Sequence, residues 1–226
     1  MFEKYKDNDS AKAVIINMVL AAVSLFVNGF GVYLTIQANI GASPWDVLNL
    51  GLSNTFGILY GTASILVSLT ILGIDILLKE SIGIAMIIDA FVVGKSVDFF
   101  NSINAVEKSN SIVSSIIMMI IGLFILAYTQ YVYMKSSLGC GPRDTLLIGL
   151  TRRTKKASIG MVSIGLLATA TLIGWALGGP VGIGTFICAF GAGPIMQFAF
   201  YTVKFNATEI KHQNIAQTLK TIKGGV

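Results

Sequence analysis

Six stretches of the chain are dominated by apolar residues: Ala13–Thr35, Ile58–Leu78, Gly83–Phe100, Ile112–Met134, Ser158–Leu177 and Val181–Val203. Each is close to the ~20 residues that a helix needs to cross ~30 Å of hydrocarbon, so the pattern predicts six spanning helices. Two shorter pieces, Pro44–Asn54 and Pro142–Arg152, lie after the first and fourth stretches. As helices at ~1.5 Å per residue they reach only about 16 Å, half that thickness. Neither can cross alone, so each either dips in and returns or lies at the interface.

The short pieces are also where the chain repeats itself. Shifted by 98 positions, Gly41, Pro44, Asp46, Leu48, Gly51 and Leu52 fall on Gly139, Pro142, Asp144, Leu146, Gly149 and Leu150. Shifted by 99, Gly83, Ile84, Ile88, Ala90, Phe91 and Gly94 fall on Gly182, Ile183, Ile187, Ala189, Phe190 and Gly193. Two ordered blocks, one residue out of step, point to a duplication rather than to shared greasiness. The expected organisation is a cytoplasmic N-terminal segment 1–11, structural repeats 12–104 and 110–205, and a cytoplasmic C-terminal tail 206–226. Each repeat then makes three crossings, which turns the second copy upside down.

Charge placement favours that inversion. Lys4, Lys6 and Lys12 precede the first span; Lys135, Arg143, Arg152, Arg153, Lys155 and Lys156 follow the fourth; Lys204, Lys211, Lys220 and Lys223 follow the sixth. Loops 37–57 and 178–180 hold no Lys or Arg. Six crossings with both termini in the cytoplasm put every rich cluster inside, as the positive-inside rule asks. The fold class expected is therefore an all-α integral membrane protein, six transmembrane helices plus two short re-entrant or interfacial ones, in an inverted 3+3 repeat.

Composition agrees: of 226 residues 54% are hydrophobic and only 12% charged, with a mean hydropathy of +0.77. Soluble domains carry about a quarter charged residues. The net charge of +5 follows the membrane rather than a nucleic-acid partner. The first apolar run is longer than a signal-peptide core and has no convincing cleavage site, so it reads as an uncleaved anchor. Cys140 and Cys188 have neither metal-site spacing nor a disulfide setting and read as small packing residues. No metal cluster, cofactor motif, nucleophile elbow or Walker sequence is present, and the one histidine, His212, lies in the tail; an enzyme is not expected.

The repeated motif has readable chemistry. Ser43 is an expected N-cap, Pro44 occupies the first helical position, and Asp46 at the third completes a variant of the capping box. Gly141, Pro142 and Asp144 repeat it with a weaker cap. In secondary transporters, inverted repeats with short, Gly- or Pro-interrupted segments mark the binding site. Helix starts suit anions, while a carboxylate there serves cations or protons. Ser43, Trp45, Asp46, Arg143 and Asp144 are thus substrate-binding candidates, against plain readings as caps, an interfacial aromatic and a positive-inside residue.

Ionisable groups at membrane depth are costly and are candidates by default. Asp89 lies about 9 Å into the third span by helical rise and has no local cation, which marks it for proton or ion coupling or for a hydrogen-bonded packing role. Lys95 and Asp98, at i and i+3, are expected to pair, and Asp75 to pair with Lys79. Asn17, Ser24, Asn28 and Thr35 share one face of the first span, which suits interhelical hydrogen bonds and a solute path equally; Asn28 is the substrate-binding candidate among them. Gly178, Gly179, Gly182, Gly184, Gly191 and Gly193 crowd the sixth span, as close helix approach requires. Ile215, Leu219 and Ile222 make an apolar stripe among lysines, fit for an anionic leaflet.

The segments Gly41-Ala42-Ser43-Pro44-Trp45-Asp46-Val47-Leu48, Gly139-Cys140-Gly141-Pro142-Arg143-Asp144-Thr145-Leu146 and Gly191-Ala192-Gly193-Pro194 resemble the YczE/YyaS/YitT family of bacterial multi-pass membrane proteins, over about residues 12–205. The resemblance implies a polytopic helical fold in the bacterial cytoplasmic (inner) membrane. It carries no assigned activity and no site residues. The functional expectation is a small secondary transporter or exporter of a small-molecule solute, its partners being the bilayer and that solute. The alternative is a non-transporting accessory or the substrate-binding subunit of a larger complex. Six spans make a small bundle, which suits a homodimer.

Overall fold

The computed structural model describes residues 10–154, 157–207, 210 and 212–224. Lys4, Lys6, Lys155, Lys156 and Lys211 and most of segment 1–11 lie outside them. Among the described residues there are nine helices and no strand: α1 Ala11–Gln37, α2 Pro44–Phe56, α3 Tyr60–Leu77, α4 Ile84–Ser102, α5 Ile112–Lys135, α6 Pro142–Arg153, α7 Ile159–Ala176, α8 Ile183–Thr202 and α9 Ile215–Ile222. Five of them, α1, α3, α5, α7 and α8, are long and apolar enough to cross a membrane. α4 has 19 residues, about 28 Å at the usual rise, but carries Asp89, Lys95 and Asp98. The short helices have 13 and 12 residues, close to the length expected.

Local chemistry sets the ends. Ser10, Ser111 and Ser158 cap α1, α5 and α7, each hydroxyl accepting from the third backbone N–H of the helix. α2 and α6 begin with proline at the first position, and α2 ends on Gly57 in the left-handed region. Ser43 departs from expectation. It stands at the N-cap with extended backbone, yet its hydroxyl makes no capping bond and donates to Asp46 Oδ2 instead, 2.5 Å away. The capping-box variant is therefore not formed: a carboxylate is a stronger acceptor to satisfy than an N–H is a donor.

α1 and α5 run together at the centre, with α4 against α1 and α8 against α5. α2 lies on α7, and α6 packs on α3 and α7. Glycines permit the α2–α7 approach, since a side chain at Gly51 would strike the Gly174 carbonyl and one at Gly174 the backbone of Leu48. Of the glycines around α8, Gly179, Gly182 and Gly184 sit against backbone of residues 40–47, whereas Gly178 and Gly193 face open space. α3 packs along α4, while α7 and α8 make no comparable contact.

Two expected ion pairs are replaced. Asp98 Oδ1 accepts the Gly61 N–H at 2.8 Å and Lys95 is exposed, because a buried helix start offers the carboxylate a drier partner than a lysine on the outer face. Asp75 is fully buried and neither of its oxygens is hydrogen-bonded, so it does not pair with Lys79. The cations at that end go to Glu80, which meets Arg152 at 3.1 Å and Arg153 at 2.9 Å; Arg153 also bonds the Leu78 carbonyl. α9 docks on α1, with Ile222 against the Val14–Ala21–Tyr133 cluster and Ile215 N–H bonded to Ile82 O at 2.9 Å. Leu219 stays exposed.

Candidate functional site

Seven helices leave a polar cavity of about 230 Å³ between them. Both proline-led helix starts open onto it: Ser43 and Asp46 from α2, and Gly141, Pro142, Arg143 and Asp144 from α6. Asn28 of α1, Asp89 of α4 and Gln130 of α5 line the walls, with Tyr60, Ser64 and Ser68 of α3. Val32, Val93, Leu126 and Met196 supply the apolar remainder. Ser43, Asp46, Arg143, Asp144, Asn28 and Asp89, singled out from four separate stretches of sequence, thus share one space.

Trp45 does not line this cavity. It borders an apolar groove of α2, α3 and α6 residues and lies under the Arg143 guanidinium, 5.1 Å from its ring centroid. The ring and the cation therefore join the two repeated motifs, one partner from each.

The carboxylates differ in their partners. Asp46, 3% exposed, accepts from Ser43 and, at Oδ1, from the Tyr60 hydroxyl at 2.6 Å; Asn49 Nδ2 donates to Tyr60 at 3.2 Å. Asp144 accepts from Gln130 Nε2 at 3.3 Å. No hydrogen bond to Asp89 forms among the described residues, but Arg143 and Asp144 of α6 both act on it electrostatically, while Lys95 of its own helix is exposed. A Cβ placed on Gly141 would stand 2.9 Å from Asp89 Oδ2 and 3.6 Å from Asp144 Oδ2. A side chain there would displace the Asp89 carboxylate.

Asn28 lines the cavity and donates to Thr129 Oγ1 of α5 at 2.9 Å, the interhelical bond its stripe was expected to make. The rest of its stripe, Asn17, Ser24 and Thr35, is buried, and Ser24 and Thr35 bond to carbonyls of their own helix. Sequence reasoning passed over Tyr60, Ser64, Ser68 and Gln130. The first three recur every four residues on α3, the same one-face spacing that exposed the stripe on α1. Among the described residues no group of His, Cys, Asp and Glu could hold a metal ion. Cys140 and Cys188 are free thiols, the latter against Met119 Sδ at 3.3 Å.

Comparison with known proteins places the chain in a family. The model of a family of unknown function, DUF6198, matches residues 15–200. The uncharacterized membrane protein YczE of Bacillus subtilis is 33% identical over 177 residues, 77% of this chain and 81% of its own. An uncharacterized Haemophilus influenzae protein is 29% identical over 84% of both chains, and YyaS of Bacillus subtilis is 29% identical over 77% of this chain and 87% of its own. No solved structure matches. With its apolar helices and this match over most of its length, the chain is a multi-pass helical membrane protein belonging to the DUF6198 family.

Proposed function

We propose that the protein is a small secondary transporter or exporter of the cytoplasmic membrane and that the polar cavity is its solute site. The observation that carries the reading is the meeting of both Gly-x-x-Pro-x-Asp starts with Asp89 and Asn28 in one enclosed polar space. Short helices that start at a common site are how inverted-repeat transporters present backbone N–H groups and side chains to a solute. Asp89, with no hydrogen bond of its own, is the coupling group, and Trp45 positions Arg143.

In this reading α4 also crosses, with Asp89 and Asp98 turned toward its neighbours and Lys95 left on the outer face, and repeats 12–104 and 110–205 face opposite ways with both termini in the cytoplasm. Crosswise contacts support it. Gly184 N–H donates to Ile40 O at 2.7 Å and Ala85 N–H to Leu138 O at 3.1 Å, and these pairs are equivalent under the sequence offset. Asn39 and Ser137, also equivalent, have φ of 57° and 59°. The far end of α2 bonds to the end of α7, Asn54 to Gly178 O and Thr55 to Leu177 O. The far end of α6 is held at Glu80, beyond the end of α3. These anchors are the ones expected of two short helices that run toward opposite ends of the bundle.

Two measurements test the reading. In a background lacking Cys140 and Cys188, Gly57→Cys should label with impermeant maleimide from outside intact cells and Thr154→Cys only after lysis; labelling of both from one side defeats the inversion. In proteoliposomes, solute-evoked currents from a panel of small cationic, anionic, zwitterionic and neutral compounds should be seen and should vanish in Asp89→Asn. Silence over the panel, with stoichiometric capture of an ATPase or enzyme in mild detergent, favours the accessory-subunit alternative.

A further inference from the structure

The cavity's charge and its unused acceptors speak to the chemistry of its occupant, an inference that rests on the site proposed above. Asp89 and Asp144 bring carboxylate oxygens from two helices to the same point over Gly141, 2.9 and 3.6 Å from the place of a Cβ. Two carboxylates that converge so closely raise each other's energy unless a positive group or proton stands with them. Arg143, whose guanidinium lies over Trp45, acts on both electrostatically and sets one positive charge against the two.

A second observation is independent of the carboxylates. Ser64 and Ser68 face the cavity while only 4% and 7% exposed, and their hydroxyls are given no hydrogen bond, although helical serines commonly bond the carbonyl one turn back. Buried hydroxyls left open toward a polar cavity can accept from, as well as donate to, whatever occupies it.

The sign follows from a count. With all three carboxyls ionised, they and one guanidinium leave two negative charges, and the N-termini of α2 and α6 offset about half a charge each. About one negative charge remains. An anion would gain the advantage only with two of the three carboxyls neutral. The volume of about 230 Å³ admits a few heavy atoms.

We propose that this cavity binds one small organic monocation, an ammonium or guanidinium compound that donates to Asp89, Asp144 and the serine hydroxyls of α3. The probes are methylguanidinium and methylammonium, with methylphosphonate and N-methylurea as anionic and neutral counterparts of similar size, titrated onto the purified full chain in mild detergent. Saturable heat of binding and a raised melting temperature are expected for the cations alone. Asp89→Asn should weaken that binding roughly 30-fold, as for loss of one partner of a buried charge pair, and Lys95→Gln, an exposed change on the same helix, should leave it unaltered. Stabilisation by methylphosphonate or N-methylurea equal to that by the cations, or no saturable response to either cation, overturns the proposal without need of a variant. Cation binding with no counterflow in proteoliposomes keeps this inference and removes transport; counterflow of an anion with no cation binding does the reverse.

Discussion

Replacing Gly41 or Gly139 with alanine tests the joint on which the two motifs are mounted. Gly41 has φ +103°, and a Cβ there would stand 2.5 Å from the Gly182 nitrogen and 2.9 Å from its Cα. Gly139 has φ +126°, and its Cβ would stand 2.7 Å from the Gly83 Cα. Both obstacles are backbone, so no flexible side chain can yield. The φ strain costs about 1–3 kcal/mol and the forced separation of the two segments a further ~1–3 kcal/mol, together roughly 2–6 kcal/mol. Gly57 is the control: its φ is +64° and nothing lies within 4 Å of its Cβ, so alanine there meets only left-handed strain of about 1–2 kcal/mol. At roughly 2–4 °C per kcal/mol for a chain of this size, thermal unfolding in mild detergent should fall by roughly 5–20 °C in Gly41→Ala and Gly139→Ala and by only a few degrees in Gly57→Ala. Should either of the first two unfold no earlier than Gly57→Ala, the close backbone crossing is not there and the placement of the motifs fails with it.

Further outcomes follow from single groups. Tyr60→Phe removes the donor to Asp46 and strands Asn49 Nδ2, whose own Oδ1 is already without a partner; a loss of about 3–5 kcal/mol in stability is expected, and a loss under about 1 kcal/mol in detergent unfolding would contradict the network. Arg152, with a side chain 70% exposed, should tolerate alanine within about 1 kcal/mol, whereas Arg153→Ala also frees the Gly149 and Leu78 carbonyls and should cost more in the same assay. Burial holds His212 below its ordinary value, and its Nδ1 is buried without a partner. The undocked tail therefore binds more protons, so docking is firm above about pH 6.5 and weakens as pH falls through that value; the hydrogen-exchange protection factors of residues 212–222, corrected for the intrinsic rate at each pH, should fall at pH 5.5 in the wild type and not in His212→Gln.

Hydropathy located α1, α3, α5, α7 and α8 to within about two residues because length and apolarity decide a span with little reference to neighbours. Proline at the first helical position located α2 and α6 equally well. Partners of polar side chains were harder to read. Ser43, Asp75 and Asp98 were each assigned a mate one turn away, and each finds something else: a carboxylate, nothing, and the N–H of Gly61. Spacing rules describe an isolated helix in water. For Asp98 a drier donor from another helix wins, and it cannot be named until the helices are placed. The hydroxyls of Tyr60, Ser64 and Ser68 were legible in principle, and weight given to ionisable groups hid them.

The second half is not clasped as the first is, and the reason lies in three residues. Gly61 and Gly94 let α3 and α4 touch along their backbones, and Asp98 closes the joint by taking the Gly61 N–H. At the equivalent places stand Gly160, Gly193 and Gln197. A glutamine replaces the carboxylate that closes the joint, and neither glycine meets the facing helix: Gly160 has only Ser158 Oγ within 4 Å of where its Cβ would be, and Gly193 has nothing. The joint between α7 and α8 is accordingly not made. α7 is held chiefly by α2 and α6, the two helices whose starts form the cavity. A displacement of α7 would therefore be felt first at Asp46 and Asp144, while α3 and α4, locked through Asp98, keep Tyr60, Ser64, Ser68 and Asp89 as the fixed wall.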